Sequence, residues 1–416
     1  RMLEGASVNV KDYGAVGDGV TDDTDALNDA LASGGDIMFD GSSTYYIGGG
    51  TNSVYTEQGD DIQDGLRVRS NTIIYGNGAK LISDVGGATA VDEDQFRIIT
   101  NYLGDSTSEN ITIKDLRLEH TGTEGYYTSG IWINGGETTN PENHVKNITL
   151  DNIHFEGCRV GIVVRDNKPN AIPISTNDVR NCSNIQITNI KALDVMSAVA
   201  SLDGNNININ GVVSDHSGAT TSYDTIAIHR AHDVTISNII SKGLNTGYVL
   251  NIRNNTGSNT KRISADNVWC SGGKGVRVGT DVAGTTEATE DITCSNIYIE
   301  GGAFLVDKSV DTMSLRNINI SNVYVQGGTT LSGLAGIGFR IFTNTPAAIG
   351  CEYVTINNLT VEETSGICVE VRNAQHFKLT NFNLSRSDTT ASCLKILGNV
   401  SQGKVAHGYI DTGDVG

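Results

Sequence analysis

The sequence predicts an all-β chain wound into a parallel β-helix, with about three strands per coil and one capping helix near the N-terminus. Three observations carry this: a ten-residue phrase that returns eleven times from residue 110, a second apolar phrase alternating with it, and one helical segment before residue 36. Self-similarity at a regular period is the mark of solenoid architectures, so it outranks residue propensities.

The first phrase reads NITIKDLRLE at 110–119, NITLDNIHFE at 147–156, NIQITNIKAL at 184–193 and NININGVVSD at 206–215. It continues as DVTISNIISK at 233–242, RISADNVWCS at 262–271, DITCSNIYIE at 291–300 and NINISNVYVQ at 317–326. YVTINNLTVE at 353–362, HFKLTNFNLS at 376–385 and a worn KVAHGYIDTG at 404–413 complete the series, at intervals of 22 to 37 residues. Within each copy apolar residues alternate and then change phase at one polar position, as two short one-sided strands joined by a bend do. Asparagine fills that bend at Asn152, Asn189, Asn238, Asn267, Asn296, Asn322, Asn358 and Asn381. Asparagine tolerates positive φ, and stacked amides can bond from one coil to the next.

The second phrase supplies a third strand: SGIWINGG at 129–136, RVGIVVRDN at 159–167, TIAIHRAHD at 225–233, VLNIRNN at 249–255, KGVRVG at 274–279, AGIGFRI at 335–341 and SGICVEVRN at 365–373. A coil gives parallel neighbours without crossover helices and stacks its rungs about 4.8 Å apart. No coil buries its inner face alone, so stacking supplies the stability and the ends need covers.

At the N-terminal end, VNVKDYGAVGDGVTDDTDALNDALASGG at 8–35 gives a short strand, a glycine turn and one amphipathic helix. Asp22, Asp23 and Thr24 are its starting residues, and Gly34–Gly35 end it. The acids Asp18, Asp22, Asp23 and Asp25 lack EF-hand spacing, so helix capping is expected of them and no metal or other cofactor is assigned. The chain divides into a connector and capping module at 1–35 and a β-helix body at 36–416. No capping helix follows the last repeat, so a continuing natural chain or partner subunits are expected to cover that end. Arg1 in place of Met points to a processed fragment.

The net charge of −19 and pI near 4.7 argue against a nonspecific nucleic-acid surface, which is basic. No stretch has the apolar length of a membrane span. The seven cysteines form no CxxC pair, and buried free thiols made in a reducing compartment are expected.

The segment 8–35, through its core VKDYGAVGDGVTDDTDAL, closely resembles the N-terminal module of the pectate-lyase-like (pectin-lyase-like) superfamily, right-handed parallel β-helices that include polygalacturonases, pectate-lyase-like enzymes and phage tailspikes. The preceding RMLEGAS resembles the connector joining a virion-attachment domain to this module in phage tail proteins. The motif-level likeness covers the first thirty-five residues; the fold-level likeness covers nearly the whole chain. It implies a right-handed coil and a tailspike depolymerase: a homotrimer on the virion tail, joined to other tail proteins, acting on a polysaccharide of the bacterial surface. A secreted cellular hydrolase or lyase is the first alternative, and a non-catalytic glycan-binding or structural spike the second. The opening motif is structural in the family and carries no catalytic residue over.

The chemistry must therefore come from outward positions. With Ile162 and Val164 inward, Val163 and Arg165 point out. Aligning the third strands predicts one outward column of Asn134, Arg165, His229, Arg253, Asp307 and Arg340. Asp166, Asp203 and Arg230 fall at the adjoining turn, and Arg277, Glu370 and Arg372 lie close by on the same face. Glycoside hydrolysis needs two carboxylates. Asp166 and Asp203, one coil and roughly 5 Å apart, are the candidate pair, with one shifted upward to act as acid and His229 sharing the proton. Arg165, Arg230 and Arg253 are candidates to hold a carboxylate or phosphate bidentately. Trp132, Tyr126 and Tyr127 are candidate sugar-stacking residues, and loops 120–146, 165–183 and 211–224 the groove walls. The order acid, acid, histidine, arginine is similar to that of polygalacturonase-type glycosidases. It departs from them in having no paired Asp-Asp at 203, no Gly-His-Gly around His229 and no Arg-x-Lys at Arg253. A lyase would use arginines to neutralise a uronate while His229, Tyr223, Tyr126 or Tyr127 takes the C5 proton. For each residue the plain alternative is a solvated cross-coil pair.

Overall fold

The computed structural model describes residues 7–411 apart from 52–54, 58–59, 86–95, 103–106, 123–127, 136–143, 166–181, 220–221, 255–258, 281–287, 309–313, 328–336, 344–350 and 388–391. The fold is a right-handed parallel β-helix, in two compact units: residues 1–169 with 179–220, and 170–178 with 221–416.

In the first unit the phrases lie in the kinked strands Thr107–His120, His144–Glu156, Cys182–Leu193 and the latter part of Ser197–Asp215. They pair in parallel, Ile111 with Ile148, Ile148 with Ile185 and Ile185 with Ile207. Each isoleucine lands on its counterpart, and the row is buried. Third strands Thr128–Asn134 and Val160–Arg165 set Ile131 on Ile162 inside and Trp132 on Val163 outside. The coiling starts well before residue 110. Thr72–Tyr75 and Lys80–Ser83 pair with the first phrase, and Gly35–Met38 and Thr44–Tyr46 pair with them in turn. These rungs escape the repeat search because loops 76–79 and 39–43 replace the one-residue bend.

The capping helix runs Thr24–Ala32 and buries Leu27, Ala30 and Leu31. Its acids bind backbone amides. Asp22 Oδ1 accepts from the amides of Thr24 at 3.0 Å and Gly48 at 3.1 Å, and Asp23 accepts from Val16 at 2.6 Å and Gly17 at 3.0 Å. Gly34 (φ 68°) and Gly35 (φ 80°) turn left-handed after the helix, as expected.

The second unit repeats the pattern. Val234, Ile263, Ile292, Ile318 and Val354 form one inward row, and Ile236, Ala265, Cys294, Ile320 and Ile356 the next. Cys294 fills an aliphatic slot, and Cys270 likewise pairs with Ile299. Burial pushes both thiols up to about 12, and Cys351 with them. The expectation of seven free thiols fails at one place: Cys368 and Cys393 form a disulfide, with Cα atoms 4.7 Å apart. They precede strands Val369–Arg372 and Leu394–Leu397, which pair Val369 with Leu394, and adjacent rungs stand at the reach of a disulfide.

Every bend asparagine named above has a left-handed backbone, from φ 52° at Asn152 to φ 58° at Asn238. The amides bond rung to rung: Asn322 Nδ2 donates to Asn296 Oδ1 at 3.0 Å, and Asn358 Nδ2 to Asn322 Oδ1 at 2.9 Å. Aspartate takes the acceptor's part for Asn152, which donates to Asp115 at 2.7 Å. A second left-handed row, not marked by the sequence pattern, opens each phrase five residues earlier. In the first unit Asn110, Asn147, Asn184 and Asn206 form it, each amide donating to the asparagine of the preceding rung at 2.7–3.0 Å. In the second unit Arg262 (φ 56°) holds that position and grips Asp233 at 2.6 and 2.8 Å. The worn last copy is out of phase: Gln402 and His407 carry its two kinks, so the phrase begins at residue 402.

Asn322→Ala removes both ladder bonds and leaves a residue with poor tolerance of φ 54°. A loss of about 1–3 kcal/mol is expected in denaturant unfolding, with Asn322→Gly falling in between because it loses only the bonds. His216 is buried, its Nδ1 2.6 Å from the Val195 carbonyl and its Nε2 2.8 Å from Ser214 Oγ, and burial lowers its pKa. The unfolded histidine titrates near ~6.5, so below that pH the unfolded chain binds more protons and stability falls as pH drops toward the depressed value. His216→Gln is expected to flatten that slope in a pH series of unfolding midpoints.

Candidate functional site

In the second unit the third strands begin with the first part of Ile226–Leu244 and continue with Leu250–Asn254, Gly275–Thr280, Ala303–Lys308, Phe339–Thr343 and Val369–Arg372. Ile228, Ile252, Val278, Val306, Ile341 and Val371 face inward and are fully buried. The alternation therefore presents two outward rows. The first is Ala227, Asn251, Arg277, Leu305, Arg340 and Glu370; the second is His229, Arg253, Gly279, Asp307, Phe342 and Arg372. This corrects the predicted column at one position. Arg340 pairs with Leu305, so it belongs to the first row, and Phe342 is what lies beside Asp307. The third strand Phe339–Thr343 is set two residues along from the place its sequence suggests.

Charge fills these rows. Arg253 Nε donates to His229 Nε2 at 2.9 Å, which places the imidazole proton on Nδ1. Arg277 Nε donates to Asp307 Oδ1 at 2.7 Å. Glu370, 3% exposed, is gripped from two sides, by Arg340 at 3.2 Å and Arg372 at 3.0 Å. Burial is the chief influence lowering the Arg340 pKa, and Glu370 opposes it. The Phe342 ring carries the Arg340 guanidinium 3.8 Å from its centre. Gly279 makes room for this: a Cβ there would lie 2.3 Å from Asp307 Oδ1 and 3.1 Å from Arg277 Nε. Asp224, passed over in the sequence, accepts from the Tyr248 amide at 2.8 Å and from Asn251 Nδ2 at 2.7 Å. Its partners lie in the next coil, so no local pattern flags it. Charges drawn below an outer surface and mutually bonded in this way can orient a polar ligand with little rearrangement.

The other expected residues fare differently. Arg230 is half-buried with φ 50°, inside the continuous strand Ile226–Leu244 and not in a turn. Asp203 is 1% exposed and likewise lies within a strand, Ser197–Asp215, of the first unit. His229, Arg230 and Arg253 belong to the second unit. Trp132 does point outward but is only 4% exposed, packed with Val160 and Val163. The guanidinium of fully buried Arg97 covers its ring at 4.2 Å, and that of Arg165 lies at 6.0 Å. Cation and aliphatic groups take the contacts a sugar would need, so Trp132 is no open stacking platform. Asn134 pairs with Arg165 as expected, yet it is buried and bonded to Asn101. Asp166, Tyr126 and Tyr127 lie outside the described residues.

The class defined by this architecture is the right-handed parallel β-helix. Residues 7–114 match the family model described as rhamnogalacturonase A/epimerase, pectate lyase-like. The mannuronan C5-epimerase AlgE5 of Azotobacter vinelandii is 35% identical over 136 residues, which is 30% of this chain and 12% of that protein. Among solved structures, a mutant tailspike protein of E. coli bacteriophage HK620 is 14% identical with TM-score 0.57, covering 97% of this chain and 80% of that one. The family 28 exopolygalacturonase of Yersinia enterocolitica is 13% identical with TM-score 0.50, covering 96% and 78%. At these identities the structural likeness is one of fold.

Glu370→Ala leaves two guanidinium groups facing each other without their carboxylate. It is expected to destabilise the chain by about 1–3 kcal/mol in denaturant unfolding, and Glu370→Gln by less because the amide keeps the side chain's volume and a carbonyl dipole toward the guanidiniums.

Proposed function

We propose that this chain recognises and depolymerises a bacterial surface polysaccharide, capsule or lipopolysaccharide O-antigen, as the body of a bacteriophage tailspike, by glycosidic hydrolysis. The observation that carries this reading is the double outward row, with guanidinium, carboxylate and imidazole groups placed rung by rung. A polymer laid across the rungs meets new polar groups at each spacing of about 4.8 Å. Asp307 and Glu370 lie two rungs apart, roughly 10 Å between strands. That spacing leaves room for a sugar and an attacking water, the wider arrangement associated with inversion. The arginines beside both carboxylates suit a ligand that itself carries acidic groups. The fold likeness to a tailspike and an exopolygalacturonase supports a polysaccharide ligand. In this reading the chain works as a homotrimer on the virion tail, joined to other tail proteins and acting at the bacterial surface.

One contact favours a second reaction. Arg253 occupies the acceptor nitrogen of His229. If Arg253 swings onto a uronate carboxylate, Nε2 is released to take the C5 proton, and elimination follows.

The test is digestion of a panel of capsules and lipopolysaccharides, following reducing ends and the ultraviolet absorbance of unsaturated uronates together. New reducing ends without absorbance are expected. Glu370→Gln and Asp307→Asn should each slow their release by about a hundredfold or more. Rising absorbance, abolished by His229→Gln, would assign elimination. Asp203→Asn and Asp166→Asn test the pair read from the sequence. No shortening of any glycan defeats the enzymatic reading, and full activity in both row carboxylate variants defeats this site.

A further inference from the structure

The ten-residue phrases present an outer surface of their own, apart from the third strands. In the first unit the eighth position of each phrase faces outward and stacks in register as Arg117, His154 and Lys191, with Lys80 on the preceding rung. Arg117, His154 and Lys191 form one wall of a cleft of about 610 Å³, and the bend residues Asn77, Asp115 and Asn152 form the other. The bend creates this concavity, because the chain turns at each left-handed residue and the next strand leaves at an angle.

The charges in the cleft are unbalanced. Lys80 is matched by Glu119 at 2.5 Å, and Asp115 accepts from Asn152 at 2.7 Å. Arg117 and Lys191, both exposed, have no ion pair among the described residues. Glu156 and Glu119 stand in the adjacent row, two residues along each strand. His154 Nε2 is buried and has no hydrogen-bond partner among the described residues. Burial lowers the His154 pKa most, and Lys191 and Arg117 lower it further against Glu156 and Glu119. In a chain of net charge −19, two exposed cations without an ion pair among the described residues flank an imidazole nitrogen without a partner, and Asp115 is the carboxylate that shares the cleft. A buried polar atom without a partner calls for a missing one.

We propose that this cleft is a binding groove for an acidic polysaccharide, with Arg117 and Lys191 holding anionic substituents and the His154 ring lining the stretch between them. The periodicity argues for a polymer over a small ion. Arg117 and Lys191 lie two rungs, about 10 Å, apart, so they form a line and do not converge on one point. Screening confines the repulsion of the distant acidic surface, since the Debye length is about 8 Å at physiological salt. The groove needs no cleavage and stands if the proposed reaction fails.

The test uses the full chain in affinity electrophoresis through gels holding polygalacturonate, dextran sulfate or uncharged dextran. At least one acidic polymer is expected to retard the wild type, and uncharged dextran to have no effect. Arg117→Gln with Lys191→Gln should weaken retardation roughly fivefold or more, as loss of two charge-assisted contacts predicts. A control of equal charge change, Lys242→Gln with Lys404→Gln, should bind as the wild type does. In NMR the His154 titration midpoint should rise on polymer saturation, and inorganic sulfate at the same anion concentration should not reproduce the rise. The proposal is overturned if neither acidic polymer retards the wild type, or if the double variant and control bind alike. It is equally overturned if His154 does not respond, or if sulfate alone matches the polymers.

Discussion

Register is the constraint on which everything else depends. Parallel strands one rung apart must keep each inward isoleucine, such as Ile111, Ile148 and Ile185, on its counterpart, because a slip of one residue would turn the buried face outward. Two left-handed kinks per phrase, five residues apart, hold that register. Most are set by asparagine, which tolerates the conformation, and many are tied to the neighbouring coil through an amide. The hydrophobic rows supply most of the stabilisation, while the kinks decide which arrangement is stabilised.

The same register produces the chemistry. Residues such as Arg253, Asp307 and Glu370 are far apart in the chain and share no local motif, yet they come onto one outer face, two rungs between each, once each strand is laid on the last. Glycine also contributes by leaving space: at Gly279 the absent side chain lets Arg277 reach the carboxylate of the next rung. The outer surface of such a coil can differ freely from rung to row while the inner rows remain nearly monotonous.

That division explains what could be read in advance. The inner rows repeat, so the coil, its third strand and the asparagine bend at residues such as Asn322 were legible from spacing alone. The first rungs were not, because loops interrupt the phrase at 39–43 and 76–79. Nor was the second row of kinks, since Arg262, Tyr353 and His376 occupy places held elsewhere by asparagine. Outward residues are legible only as far as register is, and a two-residue offset in the strand Phe339–Thr343 moves Arg340 to the other row. Burial lay beyond pattern altogether. Nothing near Trp132 in the chain announces that Arg97 will cover its ring, and nothing in the spacing of Cys368 and Cys393 distinguishes them from the five other buried cysteines.

That cross-link has a mechanical consequence. It closes a short loop of sequence separation 25 and staples the rung at Val369–Arg372 to the one at Leu394–Leu397. Ile396 in the second of these strands is exposed, as are Tyr409 and Ile410 in the strand that follows. In an array whose units hold only their neighbours, each rung-to-rung contact matters for cohesion. A covalent tie between two such neighbours, worth about 3 kcal/mol against the opened chain, keeps them together when their stacking loosens.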